Sequence, residues 1–436
     1  MRQRKILAAM VAVFVVAYSL PLGNAKFQGA LLEAFKLVQW YARNHTLACV
    51  VPALFIAGAI ITFLSQASVV RYLGPNANKL AAYSVASVSG TVLAVCSCSV
   101  LPMFAGIYRL GAGLGPATAF LYSGPAINIL AIFLTARVLG FPIGASRAAG
   151  AVVFAFLLGL IMAVVFQRED RAKSAAAMAV PEPPARGRAA WQTGLFMACM
   201  ILFLVFSDWF NPGDAVVHKT DGTAIRGVLL QETVDTRLMQ VQQAGGEMRA
   251  GDRVEVPKSQ IARIEEVDSW VVRVHQVRWY LAGAMGVAVA LMAWRWFGRD
   301  EVSEWMRNTW DFTKLLVPLL FGGVFIVGFV GALLPDEQIG RLVGDNGLRS
   351  NFVASVVGAL FYFATLTEVP VVQALTEHGM AQGPALALLL AGPALSLPNI
   401  LVIRSVMGNA KTAVFCSLVV AMSMVVGMIY GAVAPA

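Results

Sequence analysis

Ten residues recur at a constant separation of 268 positions: Pro102/Pro370, Gly111/Gly379, Gly115/Gly383, Pro116/Pro384, Ala117/Ala385, Ala119/Ala387, Leu121/Leu389, Gly124/Gly392, Pro125/Pro393 and Ala126/Ala394. The prolines and glycines among them stand inside apolar stretches, where proline removes an amide donor and glycine loosens a helix. Repeating helix breakers at equivalent places in two apolar blocks confines the chain to a narrow class. That class is the internally duplicated transporter, whose binding site is assembled at interrupted helices.

The apolar blocks are long. With 58% hydrophobic and 13% charged residues, the chain carries about half the charge of a soluble protein, so much of its surface has to face lipid. Apolar runs near the ~20 residues that cross a ~30 Å hydrocarbon core occur at 6–22, 46–64, 81–101, 116–139, 144–166, 191–210, 279–297, 314–334, 350–370, 383–403 and 411–433. Some of them are candidates for re-entrant segments. The first follows Arg2, Arg4 and Lys5 as a secretory signal would, but Gly23-Asn24-Ala25 is a poor cleavage site, and the run is read as a membrane helix. The net charge of +9 comes from basic residues beside apolar runs, a pattern that sets orientation and does not call for a nucleic-acid partner. Cys49, Cys199 and Cys416 stand alone in apolar surroundings, and no even disulfide framework is present.

The fold class expected is an all-α polytopic membrane protein with two homologous, inverted helical repeats, broken helices and a small inserted β-barrel-like soluble module. Its divisions are an N-terminal membrane helix and external loop (1–45), a first repeat (46–166), a polar linker (167–190), a membrane helix (191–210), the β module (211–277), a membrane helix and loop (278–313) and a second repeat (314–436). The linker carries Arg168, Arg171, Lys173, Arg186 and Arg188, and Arg299, Arg307 and Lys314 follow the later helix. Both groups favour the cytoplasm. The β module then lies outside, and Val51-Pro52 opens the first repeat from the side opposite to Val317-Pro318 in the second. Within the module, His218–Thr223 reads as a hairpin turn, and Val228–Leu230, Leu238–Val241, Val254–Val256 and Ile261–Ile264 read as strands.

The chemistry concentrates at three places. Cys96-Ser97-Cys98-Ser99 precedes Pro102, which can free carbonyls near two thiols and two hydroxyls; a soft cation could be held by Cys96 and Cys98, although small residues also permit close helix packing. Gly124-Pro125 and Gly392-Pro393 are paired breaks followed by Asn128, Ser396 and Asn399, hydrogen-bonding groups at membrane depth. Glu368, just before Pro370, aligns with Val100 beside the thiols. A carboxylate in such a segment is neutralised, paired or functional, and is the candidate proton-coupling group. No phosphate-cradling loop, nucleophilic triad or two-histidine helix is present, so no enzyme and no cofactor is expected.

At these residues the chain resembles the ArsP/YraQ-type predicted permeases. The resemblance rests on Cys96–Pro102, Arg109–Ala112, Gly115–Ala117, Ser123–Asn128, Glu368–Pro370 and Gly392–Ala394, and it covers roughly 46–166 and 314–433. It implies an inner-membrane permease related to exporters of trivalent organoarsenicals or soft metal ions. In metal-exporting branches the second signature tends to carry Thr-Pro-Gln where this chain has Gly-Pro-Ala-Ile-Asn, a departure that argues against simple metal export.

The resulting expectation is efflux of a small thiol-reactive or soft metal(loid) solute by alternating access in the bacterial inner membrane, with the β module periplasmic. Cys96, Ser97, Cys98, Ser99, Asn128, Ser396 and Asn399 would contact solute, and Glu368 would exchange a proton. The partners expected are the lipid bilayer, the solute and a second copy of the chain. Two alternatives stay open: a membrane thiol oxidoreductase using Cys96 and Cys98 as a redox pair, and a receptor or assembly protein working through the β module.

Overall fold

Lipid offers the backbone no hydrogen-bonding partner, so apolar runs satisfy their own amides as helices. The computed structural model describes residues 18, 21, 23–64, 66–74, 77–78, 81–84, 86–87, 97–170, 172, 189–209, 214–232, 236–241, 253–266, 270–333, 342–361, 368–377 and 379–434. Helix α1 (Ala25–Tyr41) continues through a π-helical stretch (Ala42–Val50) into α2 (Val51–Phe63). Then come α3 (Gln66–Leu73), α4 (Ser97–Arg109), α5 (Leu114–Ala126), α6 (Ile129–Val138) and α7 (Phe141–Val165). Helices α8 (Ala190–Ser207) and α9 (Trp270–Trp296) flank a sheet. They are followed by α10 (Arg299–Leu333), α11 (Leu348–Leu360), α12 (Glu368–Glu377), α13 (Gln382–Ala391), α14 (Leu397–Met407) and α15 (Asn409–Val433).

Among the described residues, Thr46–Phe63, Phe141–Val165, Val271–Trp296, Arg299–Leu333 and Asn409–Val433 are long and apolar enough to cross a membrane. This is a helical, multi-pass membrane protein. The runs 116–139 and 383–403 are each divided into two short helices, α5/α6 and α13/α14. Most of 6–22, and residues 85 and 88–96 of 81–101, lie outside the described residues. Residues 299–313, expected as a loop, are the opening turns of the 35-residue α10. Asp300 and Glu301 sit in its first turn, where acidic side chains suit the helix dipole.

The divisions fall at the Gly-Pro pairs. Helix α5 carries Pro125 in its last turn and yields at Ile127 (φ −101°, ψ 25°). Helix α13 stops at Ala391, and Ser396 is extended (φ −163°, ψ 158°) before it caps α14, its hydroxyl accepting from the Asn399 amide at 3.4 Å. Pro102 behaves differently: α4 runs through it. Its ring removes the amide that would bond the Cys98 carbonyl. Pro370 stands third in α12.

The two blocks pack alike. Helix α5 lies on α7 and α13 on α15, while α6 lies on α7 and α14 on α15. Each of the first two crossings passes at a glycine pair: a Cβ on Gly115 would come 2.7 Å from the Gly159 carbonyl, and one on Gly383 2.7 Å from the Gly427 carbonyl. Helix α12 reaches across to α6, and α4 reaches across to α14, so each block covers part of the other's broken segment. One apolar core runs through both. Helix α10 packs along α1 and α2, and the α8–α9 hairpin attaches through α8 to α2, leaving most of α9 exposed.

The inserted module comprises β1 (Asp214–Lys219), β2 (Ala224–Glu232), β3 (Thr236–Val241), β4 (Arg253–Pro257) and β5 (Ile261–Glu266). They form one antiparallel ladder in the order β4-β3-β2-β1-β5, so β4 and β5 are its ends and the expected barrel is an open sheet. Laid flat, five strands at ~4.8 Å spacing would hold those ends ~19 Å apart. The chain joins them through Lys258–Gln260 alone, which reaches at most ~14 Å, so the sheet curls over its small core of Val217, Ile225, Met239, Val241 and Val256. In the β1–β2 turn, the amide and hydroxyl of Thr223 donate to Asp221 and hold its carboxyl below the usual carboxylate range.

Candidate functional site

Gly140 (φ 106°) turns the chain out of α6, and Pro142 pre-sets the first turn of α7. Seven residues into α7 stands Arg147, the one charged side chain between 141 and 165. Its Nη1 donates to the Thr135 hydroxyl on α6 at 2.9 Å, and that hydroxyl donates onward to the Ala131 carbonyl at 2.7 Å. Its Nη2 donates to Glu368 Oε2 at 3.0 Å, joining α7 to the first residue of α12. Both side chains are sealed, with 0% and 1% exposure. Breaking such a pair by deleting one partner strands the other in a low-dielectric interior, which typically costs about 3–5 kcal/mol.

The pair is incompletely satisfied. Arg147 Nε and Glu368 Oε1 are buried without hydrogen-bond partners, so the contact is one-pronged where a guanidinium and a carboxylate could make two parallel bonds. Oε1 lies against the second break: a Cβ on Gly392 would come within 2.7 Å of it. Beside the pair, the Tyr122 hydroxyl donates to the Leu390 carbonyl at 3.1 Å. These two residues are themselves 268 positions apart, each standing two residues before its own Gly-Pro.

The counterparts at the same separation are apolar. Thr135 and Arg147 of the first block and Glu368 of the second have Ile403, Phe415 and Val100 at the positions 268 residues away, all buried. The same packing positions are thus filled once by a charged network and once by hydrocarbon.

The expected contacts are placed as follows. Asn128, Ser396 and Asn399 are buried at the two breaks, and Asn399 Oδ1 has no hydrogen-bond partner. Ser99 is buried in α4. Ser97 and Cys98 belong to the first turn of α4, but their side chains, and Cys96 altogether, lie outside the described residues. Among the described residues no three His, Cys, Asp or Glu side chains converge as a metal site. Glu368 lies against the Gly392 break. Arg147, Thr135 and Tyr122 were not anticipated.

A family model described as a predicted permease matches residues 31–432. The chain belongs to this permease family. Over 396 residues the permease is 36% identical to the UPF0718 protein MJ0584 of Methanocaldococcus jannaschii, covering 91% of this chain and 94% of that protein. It is 34% identical over 102 residues to the UPF0718 protein YraQ of Escherichia coli, covering 23% of this chain and 29% of that protein. No solved structure matches the permease. The matched span takes in both Gly-Pro breaks, the buried ion pair and the inserted sheet.

Proposed function

We propose that the chain is a permease of the bacterial inner membrane that exports a small thiol-reactive or soft metal(loid) solute. It works by alternating access between two inverted repeats, with the sheet on the periplasmic side. The reading is supported most by the meeting of the two breaks, where Tyr122 of one block donates to Leu390 of the other at 3.1 Å. Short helices that stop within the membrane leave backbone groups that are tolerated when protein or a cavity surrounds them, and interrupted pairs of this kind are where transporters build midplane sites. Asn128, Ser396 and Asn399 supply polar contacts, Cys96 and Cys98 engage the soft centre, and Glu368 carries the coupling proton.

The test is transport of trivalent methylarsenical into everted membrane vesicles. Uptake is expected to follow an imposed proton gradient and to be lost when Cys96→Ser and Cys98→Ser are combined. Uptake indifferent to both the gradient and the double substitution would overturn the chemical part of this reading.

A further inference from the structure

The Arg147–Glu368 contact has two loose ends of opposite character. Arg147 Nε is a donor without an acceptor, and Glu368 Oε1 is an acceptor without a donor, both fully enclosed. Buried polar atoms are rarely left so, and each orphan marks a place where something else fits. A proton satisfies Oε1, and an anionic atom satisfies Nε.

Charge balance ties the two events together. With both groups ionised the site is neutral. Protonating Glu368 alone leaves the guanidinium uncompensated at membrane depth, and binding an anion alone leaves an excess negative charge there. Each state is heavily penalised in a low dielectric, whereas the arrival of both keeps the site neutral. Among the described residues, the titratable groups acting at Glu368 are Arg147 from α7 and Tyr122 from α5, with uncharged Thr135 on α6 against Arg147 and Gly392 after α13 against Glu368. Packing does not demand these charges, because Ile403, Phe415 and Val100 fill the positions 268 residues away.

We propose that the Arg147–Glu368 pair is a joint binding site for one proton and one monoanionic solute, the proton on Glu368 and the anion on the guanidinium of Arg147. This rests on the permease reading and assigns it a monoanionic ligand at this pair, beside the uncharged trivalent arsenical of its transport test. When the two bind, the Nη2–Oε2 bond gives way to an anion–guanidinium bond and a carboxylic acid, and when they leave it is remade. No net charge is carried. Linkage then requires the proton and the anion each to tighten the binding of the other by the same factor. The absent side chain at Gly392 is what lets Oε1 approach the break.

Calorimetric titration of the full chain in lipid nanodiscs tests this without reference to flux, using sodium methanesulfonate and sodium methylarsonate as monoanions and sodium sulfate as the dianion control across about pH 5 to 8. The wild type is expected to bind a monoanion with uptake of about one proton, its affinity rising about tenfold for each pH unit lowered. Glu368→Gln, an uncharged mimic of the protonated acid, should bind the same anion with no proton uptake and no pH dependence. The triple variant Thr135→Ile, Arg147→Phe, Glu368→Val copies the apolar counterpart; it should melt with the wild type yet bind no anion. Anion binding that persists in the triple variant, that is independent of pH in the wild type, or that is absent from both wild type and Glu368→Gln overturns the proposal. Vesicle flux lost while anion-linked proton uptake persists would count against the permease reading and leave the site standing.

Discussion

Arg147 shows how much a single side chain can depend on one far away in the chain. Its charge is tolerable at 0% exposure because Glu368, 221 residues later, stands 3.0 Å away. Truncating it as Arg147→Ala should lower stability by about 3–5 kcal/mol, because the carboxylate remains buried without its partner. Pairing Arg147→Met with Glu368→Leu should recover most of that loss, as read by thermal unfolding in detergent. Equal losses in the single and double variants would mean that the pair contributes nothing specific. Glu368 was legible from the sequence because a carboxylate in an apolar segment announces itself. Arg147 carried the same signal, a lone charge in the apolar run 141–165. Which basic residue answers which acid is a property of the packed helices, and spacing along the chain does not contain it.

At the scale of elements, the breaks were the most readable part of the fold. Gly-Pro acts on its own backbone, so α5 ends at Ala126 and α13 at Ala391 whatever packs around them. Pro102 obeys the same chemistry with another outcome: α4 continues through it to Arg109. The open sheet was misjudged for a comparable reason. Strand positions follow from alternating residues, whereas closure depends on how the two end strands meet. The glycines at the α5–α7 crossing make the interhelical approach directly testable. Gly159→Leu would force its side chain against the Gly115 carbonyl and should destabilise the protein by about 1–3 kcal/mol, the usual cost of overpacking. A melting temperature indistinguishable from wild type would show that the crossing has slack. Gly427→Leu, facing Gly383 in the other block, should behave alike.

At the scale of the whole molecule, the two blocks are joined near one end by Lys411, at the start of α15. It pairs with Glu169 just beyond α7 at 2.8 Å and lies 3.4 Å from the Tyr108 hydroxyl of α4. With Glu169 well exposed, this contact adds little to stability, so its interest lies in marking a seam between the blocks. Glu169→Cys with Lys411→Cys, bridged by a short bifunctional thiol reagent, should arrest transport, and reduction of a cleavable bridge should restore it. Undiminished flux across the bridge would mean that the blocks do not part at this face. The aromatic side chains of α9 suggest where lipid ends: Trp279 and Tyr280 are exposed on one side and Trp294 on the other, about 22 Å apart along the axis. The closed ion pair has an electrical consequence. A lone charge moved through the full membrane field is worked on by about 2.3 kcal/mol per 100 mV, but Arg147 and Glu368 held together at 3.0 Å form a dipole without net charge. The resting voltage therefore has almost no grip on the empty site, and the direction of any cycle built on it is left to concentrations.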